Sequence, residues 1–112
     1  MPCLLIHTNI KVADKAAFLR RASAAVANAL GKPESYVMVE LSDNKAMVFA
    51  GSDAPLAFLE LKSLGLSTAQ TPDLSATLCN MIEAETGIDS ARIYIEFAAP
   101  ERAMFGFNGG TF

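Results

Sequence analysis

The chain has 112 residues, of which 52% are hydrophobic and 19% are charged, and its formal net charge is −3. This length suits one domain, and the composition excludes a disordered protein. Because a domain this small cannot bury so much apolar surface alone, we expect an oligomer. The apolar runs are far shorter than the roughly 20 residues of a membrane span. No basic cluster exceeds the pair Arg20-Arg21, which argues against a nucleic-acid-binding surface.

The first segment, residues 3–7, is typical of a short apolar strand. It is too short for the apolar part of a signal peptide, and no basic region precedes it. We therefore expect a cytoplasmic protein, with secretion without a signal peptide as the alternative. Cys3 and Cys79 are too few for a secreted disulfide framework, and with the single histidine, His7, they give no metal-binding motif.

A helix is predicted from a capping Asp14 to about Leu30, because apolar residues recur there at helical spacing and Gly31 is a stop signal. The apolar stripe consists of Phe18, Ala22, Val26, Ala29 and Leu30. Residues 36–41 (YVMVEL) are predicted to form a strand. A turn at 42–44 then leads into residues 45–50 (KAMVFA), which we expect to be its hairpin partner.

The second half repeats this order. Residues 57–64 (AFLELKSL) predict a strand, and a helix follows in which Thr71 caps the N-terminus and Pro72 suits the first helical position. Its apolar stripe is Leu74, Leu78, Met81 and Ile82. Gly87 ends the helix, and residues 92–98 (RIYIEFA) predict the last long strand.

The two halves, about 1–56 and 57–112, match without a gap across their helices and final strands when Gly31 is placed over Gly87. Two strand–helix–strand units predict a single α+β domain, a four-stranded mixed sheet with both helices on one face. The other face needs cover, and the excess of hydrophobic residues fits that need. The tail is also apolar, with three phenylalanines around an Asn108-Gly109 turn, so we expect it to dock on its own core or on a neighbour.

Pro2 is the most informative residue for chemistry. Removal of Met1 would leave a prolyl amine, and burial with a nearby cation lowers the pKa of such an amine from the range near 8. A neutral amine is a usable general base at physiological pH. Many proteins begin Met-Pro without consequence, and on Pro2 alone that interpretation is favoured.

Three other residues each have an ordinary interpretation beside a functional one. Lys32 follows the helix end, where a cation interacts with the helix dipole; the functional alternative is an anion anchor near Pro2. Tyr94 and Glu96 share one face of a strand. The ordinary interpretations are a half-buried strand aromatic for Tyr94 and a solvent-facing carboxylate for Glu96, unless that face is an interface.

Four segments, in order, carry a family resemblance: Met1-Pro2-Cys3, Gly31-Lys32-Pro33, Ser63-Leu64-Gly65, and a tail of the form N-x-x-T-F that begins at Asn108. With these segments the chain resembles the macrophage migration inhibitory factor family, in the tautomerase superfamily, over essentially its whole length.

The resemblance implies a homotrimer with an active site at each subunit interface, keto–enol tautomerisation of small aromatic 2-keto acids, and no cofactor or metal. Pro2 matches the catalytic amine, and Lys32 matches the lysine that binds the substrate carboxylate. Leu64 matches a position that holds this carboxylate through its backbone N–H. The other positions that match substrate-binding residues are Ser63, Tyr94 and Glu96, with Tyr94 contributed by the neighbouring subunit, and the aromatic Phe105 and Phe107 at the pocket mouth.

The chain departs from the family pattern at two places. Glu96 stands where mammalian members have an asparagine that donates to the substrate, and an ionised carboxylate cannot donate. The C-x-x-C of some members is replaced by Leu56-Ala57-Phe58-Leu59, so a thiol oxidoreductase activity has no residues to perform it. Because the family includes cytokine-like proteins, binding to a protein receptor, with a weakly active or inactive pocket, is the alternative function.

Overall fold

The chain folds into two strand–helix–strand units, and a computed structural model describes all of residues 1–112. The elements in chain order are β1 Cys3–Thr8, α1 Lys15–Leu30, β2 Met38–Ser42, β3 Ala57–Lys62, α2 Thr71–Thr86, β4 Ile93–Ala98, β5 Gly106–Phe107 and β6 Gly110–Thr111. The predicted α+β class, with a mixed four-stranded sheet and two helices, is confirmed.

The sheet has the strand order β2-β1-β3-β4. β1 pairs with β2 in parallel and β3 pairs with β4 in parallel, whereas the two central strands β1 and β3 are antiparallel. Each half of the chain therefore contributes one parallel pair, as a right-handed crossover through a helix requires. Because side chains alternate across a strand, Leu4, Ile6 and Thr8 of β1 lie buried on the face that the helices cover.

Helix α1 begins and ends where the sequence predicts. The Asp14 carboxylate accepts a hydrogen bond from the Ala17 N–H at 3.1 Å, and Gly31 ends the helix in the left-handed conformation with φ of 62°. Its buried residues, Phe18, Ala22 and Val26, are those of the predicted stripe. Neither α1 nor α2 has the length and apolar character needed to cross a membrane.

The predicted start of α2 needs a correction, because Thr71 does not cap it. A short 3-10 turn, Thr68–Gln70, leads directly into the helix, and Thr71 is already the first helical residue. Its hydroxyl donates backwards to the Thr68 carbonyl at 2.9 Å. The capping role passes to Ser67 and Gln70, which form a reciprocal capping box at the start of the 3-10 turn.

The predicted hairpin partner at residues 45–50 is wrong. The backbone N–H groups of Asn44 and Lys45 donate to the carbonyls of Ile10 and Thr8, at 2.8 and 3.1 Å, instead of folding back on β2. Beyond them the segment forms only an isolated bridge between Phe49 and Ser52. It is therefore a loop that crosses the end of β1, not a fifth strand of the sheet.

Two strand boundaries also differ from the prediction. β2 starts at Met38 because residues 34–36 form a 3-10 turn, in which the N–H of Tyr36 donates to the carbonyl of Pro33. β3 ends at Lys62, after which Ser63 still donates to the carbonyl of Ala98. Both shortened ends point toward the N-terminus, where the candidate site lies.

The face of the sheet opposite the helices is largely uncovered within the chain, apart from Phe49, which packs on Tyr94. It is also less apolar than the composition predicts. Met38 and Tyr94 on this face are 67% and 65% exposed. Between them run three carboxylates in one register row, which consists of Glu40, Glu60 and Glu96. Of these, only Glu60 has an ion-pair partner, His7, at 2.9 Å.

Candidate active site

Pro2 lies immediately before the central strand β1, and its side chain is fully buried. Its carbonyl accepts a hydrogen bond from the Met38 N–H at 3.0 Å, which fixes the start of β1 against β2. Beside it lies a cavity of about 240 Å³ with mostly apolar walls. The N-terminus is thus held at the edge of an apolar cavity by backbone pairing.

Lys32 is placed by the end of α1. The left-handed Gly31 turns the chain so that the Lys32 N–H donates to the Ala27 carbonyl, and the side chain reaches the turn after β3. There its ammonium group donates to Ser63 Oγ at 3.1 Å and to the Leu64 carbonyl at 2.6 Å. The structure therefore brings together three of the residues selected from the sequence.

The backbone N–H of Leu64 makes no hydrogen bond within the chain, although its carbonyl is engaged by Lys32. Leu64 is also nearly buried, at 7% exposure. Leu64 and Lys32 line one cavity, where an unpaired N–H and an ammonium group can both donate to an anionic oxygen atom. This is the arrangement that the predicted carboxylate-binding role of Leu64 needs.

The N-terminal amine, which Met1 carries in the structure, lies in this electropositive surrounding. Burial lowers the pKa of the amine, and the charges of Lys32 and Arg102 lower that pKa further. Both causes act against the protonated form. The Pro2 nitrogen follows in the next residue, whose side chain is fully buried.

The aromatic wall of the cavity comes from the tail. Asn108 and Gly109 both have positive φ, 51° and 77°, so they form the tight turn that the sequence predicts between β5 and β6. This turn lets Phe107 stack on Phe112 with ring centroids 5.0 Å apart. Tyr36 packs edge-on against Phe107 at 5.6 Å, so the tail docks on its own chain.

Phe105 and Phe107, both selected from the sequence, line this cavity, but sequence reasoning missed Tyr36 and Phe112. Phe112 closes the wall because its N–H donates to the Phe105 carbonyl at 3.1 Å. A signal existed for Phe112, since it is one of the three phenylalanines of an unusually apolar tail. Tyr36 carried none, because its place in a predicted strand suggested only packing within the sheet.

Tyr94 and Glu96 do not approach Pro2 within one chain. Tyr94 is in register with Phe58 and His7, roughly 16 Å along the sheet from Pro2 at about 3.3 Å per residue, and it lies two strands away. Its ring packs on Phe49 at 4.7 Å and lines a different, entirely apolar cavity. The predicted site residues therefore form two groups, one around Pro2 and one on β4.

Comparisons with known proteins agree with each other. The family described as macrophage migration inhibitory factor (MIF) matches residues 1–112. A macrophage migration inhibitory factor homolog of Brugia malayi is 43% identical over 114 residues, which span 100% of this chain and 99% of that protein. The macrophage migration inhibitory factor of Mus musculus is 32% identical over the same proportions.

Solved structures give the same result for the fold. The crystal structure of a macrophage migration inhibitory factor homologue from Prochlorococcus marinus superposes with a TM-score of 0.93 at 35% identity, covering 98% of both chains. The structure of the macrophage migration inhibitory factor from Trichinella spiralis superposes with a TM-score of 0.92 at 37% identity, covering 98% of this chain and 99% of the other.

Proposed function

Because the chain belongs to the macrophage migration inhibitory factor family, which lies within the tautomerase superfamily, we propose that it is a keto–enol tautomerase of small aromatic 2-keto acids such as phenylpyruvate. One observation carries the proposal: Pro2 lies beside an aromatic cavity, and Lys32 and burial lower the pKa of the adjoining N-terminal amine, which Met1 carries in the structure. That arrangement suits a neutral amine base acting on an anionic aromatic substrate.

In the proposed reaction, removal of Met1 leaves the secondary amine of Pro2 as the general base. The neutral amine takes a proton from one site of the substrate and returns it to the adjacent carbon or oxygen, so the proton count balances. Lys32 and the Leu64 N–H hold the substrate carboxylate, with Ser63 orienting the lysine. The phenylalanine wall holds the ring and excludes water.

The proposal includes a homotrimer, because Tyr94 and Glu96 reach the Pro2 cavity only from a neighbouring subunit. The uncovered sheet face and the 65% exposure of Tyr94 support this. Tyr94 would hydrogen-bond the reacting end of the substrate. Glu96 would stand near it as an acceptor, and its charge would disfavour substrates with an anionic group at that end.

The test is the variant Pro2→Gly, which keeps an N-terminal amine but removes the prolyl ring. Intact mass must first show that both proteins have lost Met1, and circular dichroism that both are folded. We expect the kcat/KM for phenylpyruvate to fall by roughly 100-fold or more, within the range for general-base catalysis. An unchanged kcat/KM would overturn the proposal.

A second candidate function is favoured by the names of the relatives, since the Mus musculus protein is called macrophage migration inhibitory factor. In this role the chain would act as a cytokine-like ligand of a protein receptor outside the cell, whereas the enzymatic role suits the cytoplasm. A macrophage migration assay separates the two. Equal inhibition of migration by the parent and by Pro2→Gly would favour the cytokine role, independent of turnover.

A further inference from the structure

A second cation lies beside the N-terminus, in a place that the family resemblance does not use. Arg102 begins the 3-10 turn Arg102–Met104 that follows β4. It lines a cavity of about 340 Å³ together with Lys32, Leu64, Met1 and Phe112. The cavity therefore has a positively charged side chain from each half of the chain.

Both cations have hydrogen-bond donors to spare. Arg102 uses its Nε, which donates to a terminal carboxyl oxygen of Phe112, the last residue of the sequence, at 3.1 Å. Its two terminal nitrogens have no partner in the chain. Lys32 uses two of its three ammonium donors, on Ser63 Oγ and the Leu64 carbonyl. One ammonium proton and the outer edge of a guanidinium fork remain free for a ligand.

Neither cation forms an ion pair with a carboxylate side chain. Glu101 lines the same cavity, yet it forms no ion pair with Lys32 or Arg102. The ion pairs of the chain lie elsewhere, and they are His7–Glu60, Lys15–Asp43 and Arg21–Glu85. No carboxylate side chain thus holds Lys32 or the terminal nitrogens of Arg102, so these donors are available to the two carboxylates of a dianionic ligand.

The aromatic cavity beside Pro2 adjoins this polar cavity. Met1 and Phe112 line both of them, so Met1 forms part of the boundary between the two. Removal of Met1 would open that boundary. A ligand with an aromatic arm and its acidic groups at one end would then place the ring against Phe107 and the acids between Lys32 and Arg102.

We propose that Lys32 and Arg102 together form a two-cation site, and that the chain prefers aromatic acids with two neighbouring carboxylates over those with one. Lys32 provides a point charge, whereas the planar fork of Arg102 suits bidentate binding of a carboxylate. This deepens the proposed function, on which it rests for the 2-keto chemistry, and it makes Arg102 a specificity-determining residue for the substrate.

The test compares two ligands that differ by one carboxylate, benzylmalonate and 3-phenylpropanoate, by isothermal titration calorimetry on protein shown by intact mass to lack Met1. At a pH where all carboxylates are ionised, we expect benzylmalonate to bind the parent roughly tenfold or more tightly than the monoacid, the scale of a charge-assisted contact. In Arg102→Gln the ratio of the 3-phenylpropanoate Kd to the benzylmalonate Kd should fall to near one, with the Kd of 3-phenylpropanoate changed by less than about twofold.

Matched variants separate charge from structure. Arg20→Gln removes an exposed cation far from the cavity and should leave the ratio of the two Kd values unchanged. Arg102→Lys should keep part of the preference for benzylmalonate, and Glu101→Gln should increase that preference. Equal affinity of the parent for benzylmalonate and 3-phenylpropanoate would overturn the proposal. So would an equal loss of affinity for both ligands in Arg102→Gln, which would show that Arg102 only holds Phe112 in place. Because binding is measured without turnover, failure of the tautomerase proposal would appear separately.

Discussion

Lys32 affects two properties of the site at once, the basicity of the amine and the affinity for an anion. The amine accepts a proton only when neutral, and burial and the Lys32 charge both lower the pKa of the N-terminal amine that Met1 carries in the structure. We expect the same causes to act on the Pro2 amine once Met1 is removed. Lys32→Ala removes one lowering cause, so the amine pKa rises and more of the amine is protonated at neutral pH. We expect the acid limb of the kcat/KM profile for phenylpyruvate to move to higher pH, and KM to rise roughly tenfold or more.

Two variants serve as controls for that prediction. Lys32→Arg keeps the positive charge and should keep the acid limb near its parental position, while Lys11→Ala removes an exposed cation and should leave both the limb and KM unchanged. A limb that stays in place or moves to lower pH in Lys32→Ala would show that the lysine charge does not reach the base.

At the scale of elements, Arg92 fixes the loop that replaced the predicted hairpin. Its guanidinium donates to the carbonyls of Phe49, Ser52, Ala54 and Pro55, at 3.0 to 3.2 Å. It also lies 5.3 Å from the ring centroid of Phe49. One side chain thus donates to four carbonyls of this loop. It also packs on the Phe49 ring, which in turn contacts Tyr94.

We expect Arg92→Ala to lower the free energy of unfolding by about 2 kcal/mol, because several carbonyls lose a charged donor. Arg92→Lys should recover less than half of this lost free energy of unfolding, since an ammonium group cannot replace the planar guanidinium. Urea denaturation at one fixed protein concentration measures this, as the stability of an oligomer depends on concentration. Equal stability of the alanine and lysine variants would contradict the role of the fork.

This loop also explains how far sequence reasoning could reach. The elements whose signals are local were predicted correctly: the helix between Asp14 and Gly31 has its cap, stripe and stop within the segment itself. Residues 45–50 have strand-like composition, but their conformation depends on Arg92, which is distant in sequence. A pattern within one window cannot contain that information.

The candidate site follows the same rule. Pro2 and Lys32 were candidates from the residues themselves, and the family resemblance assigned their roles and added Leu64. The structure brings these three regions together. The second cation, Arg102, has no motif around it and lies near the N-terminus only because the chain returns after β4. Its role could not be predicted before the fold was known.

At the scale of the whole molecule, the uncovered sheet face determines where the subunits of an oligomer can meet. The uncovered sheet face is not a plain apolar surface, because the row of Glu40, Glu60 and Glu96 crosses it. Exposed apolar groups lie toward its edges, at Met38 and Tyr94. Each edge strand thus carries one of these exposed apolar residues and one carboxylate of the row, and we expect subunit contacts at these two edge strands.

Such edge contacts predict that Pro2 of one subunit and Tyr94 of the next build each active site. Two inactive variants, Pro2→Gly and Tyr94→Ala, should then restore activity when unfolded together and refolded as a mixture. A site is complete only where the subunit that supplies Pro2 is a Tyr94→Ala chain and its neighbour is a Pro2→Gly chain. In an equal mixture this holds at about one quarter of the interfaces of a cyclic trimer.

We therefore expect the mixture to recover up to about a quarter of the parental phenylpyruvate turnover, while each variant refolded alone stays near its own low value. Native mass spectrometry of the same sample, with one variant isotopically labelled, would verify that mixed trimers form. If mixed trimers are present but turnover equals the mean of the two variants, each subunit builds its site alone. If Tyr94→Ala refolded alone instead keeps the parental turnover, Tyr94 has no part in catalysis, since within one chain it lies two strands from Pro2.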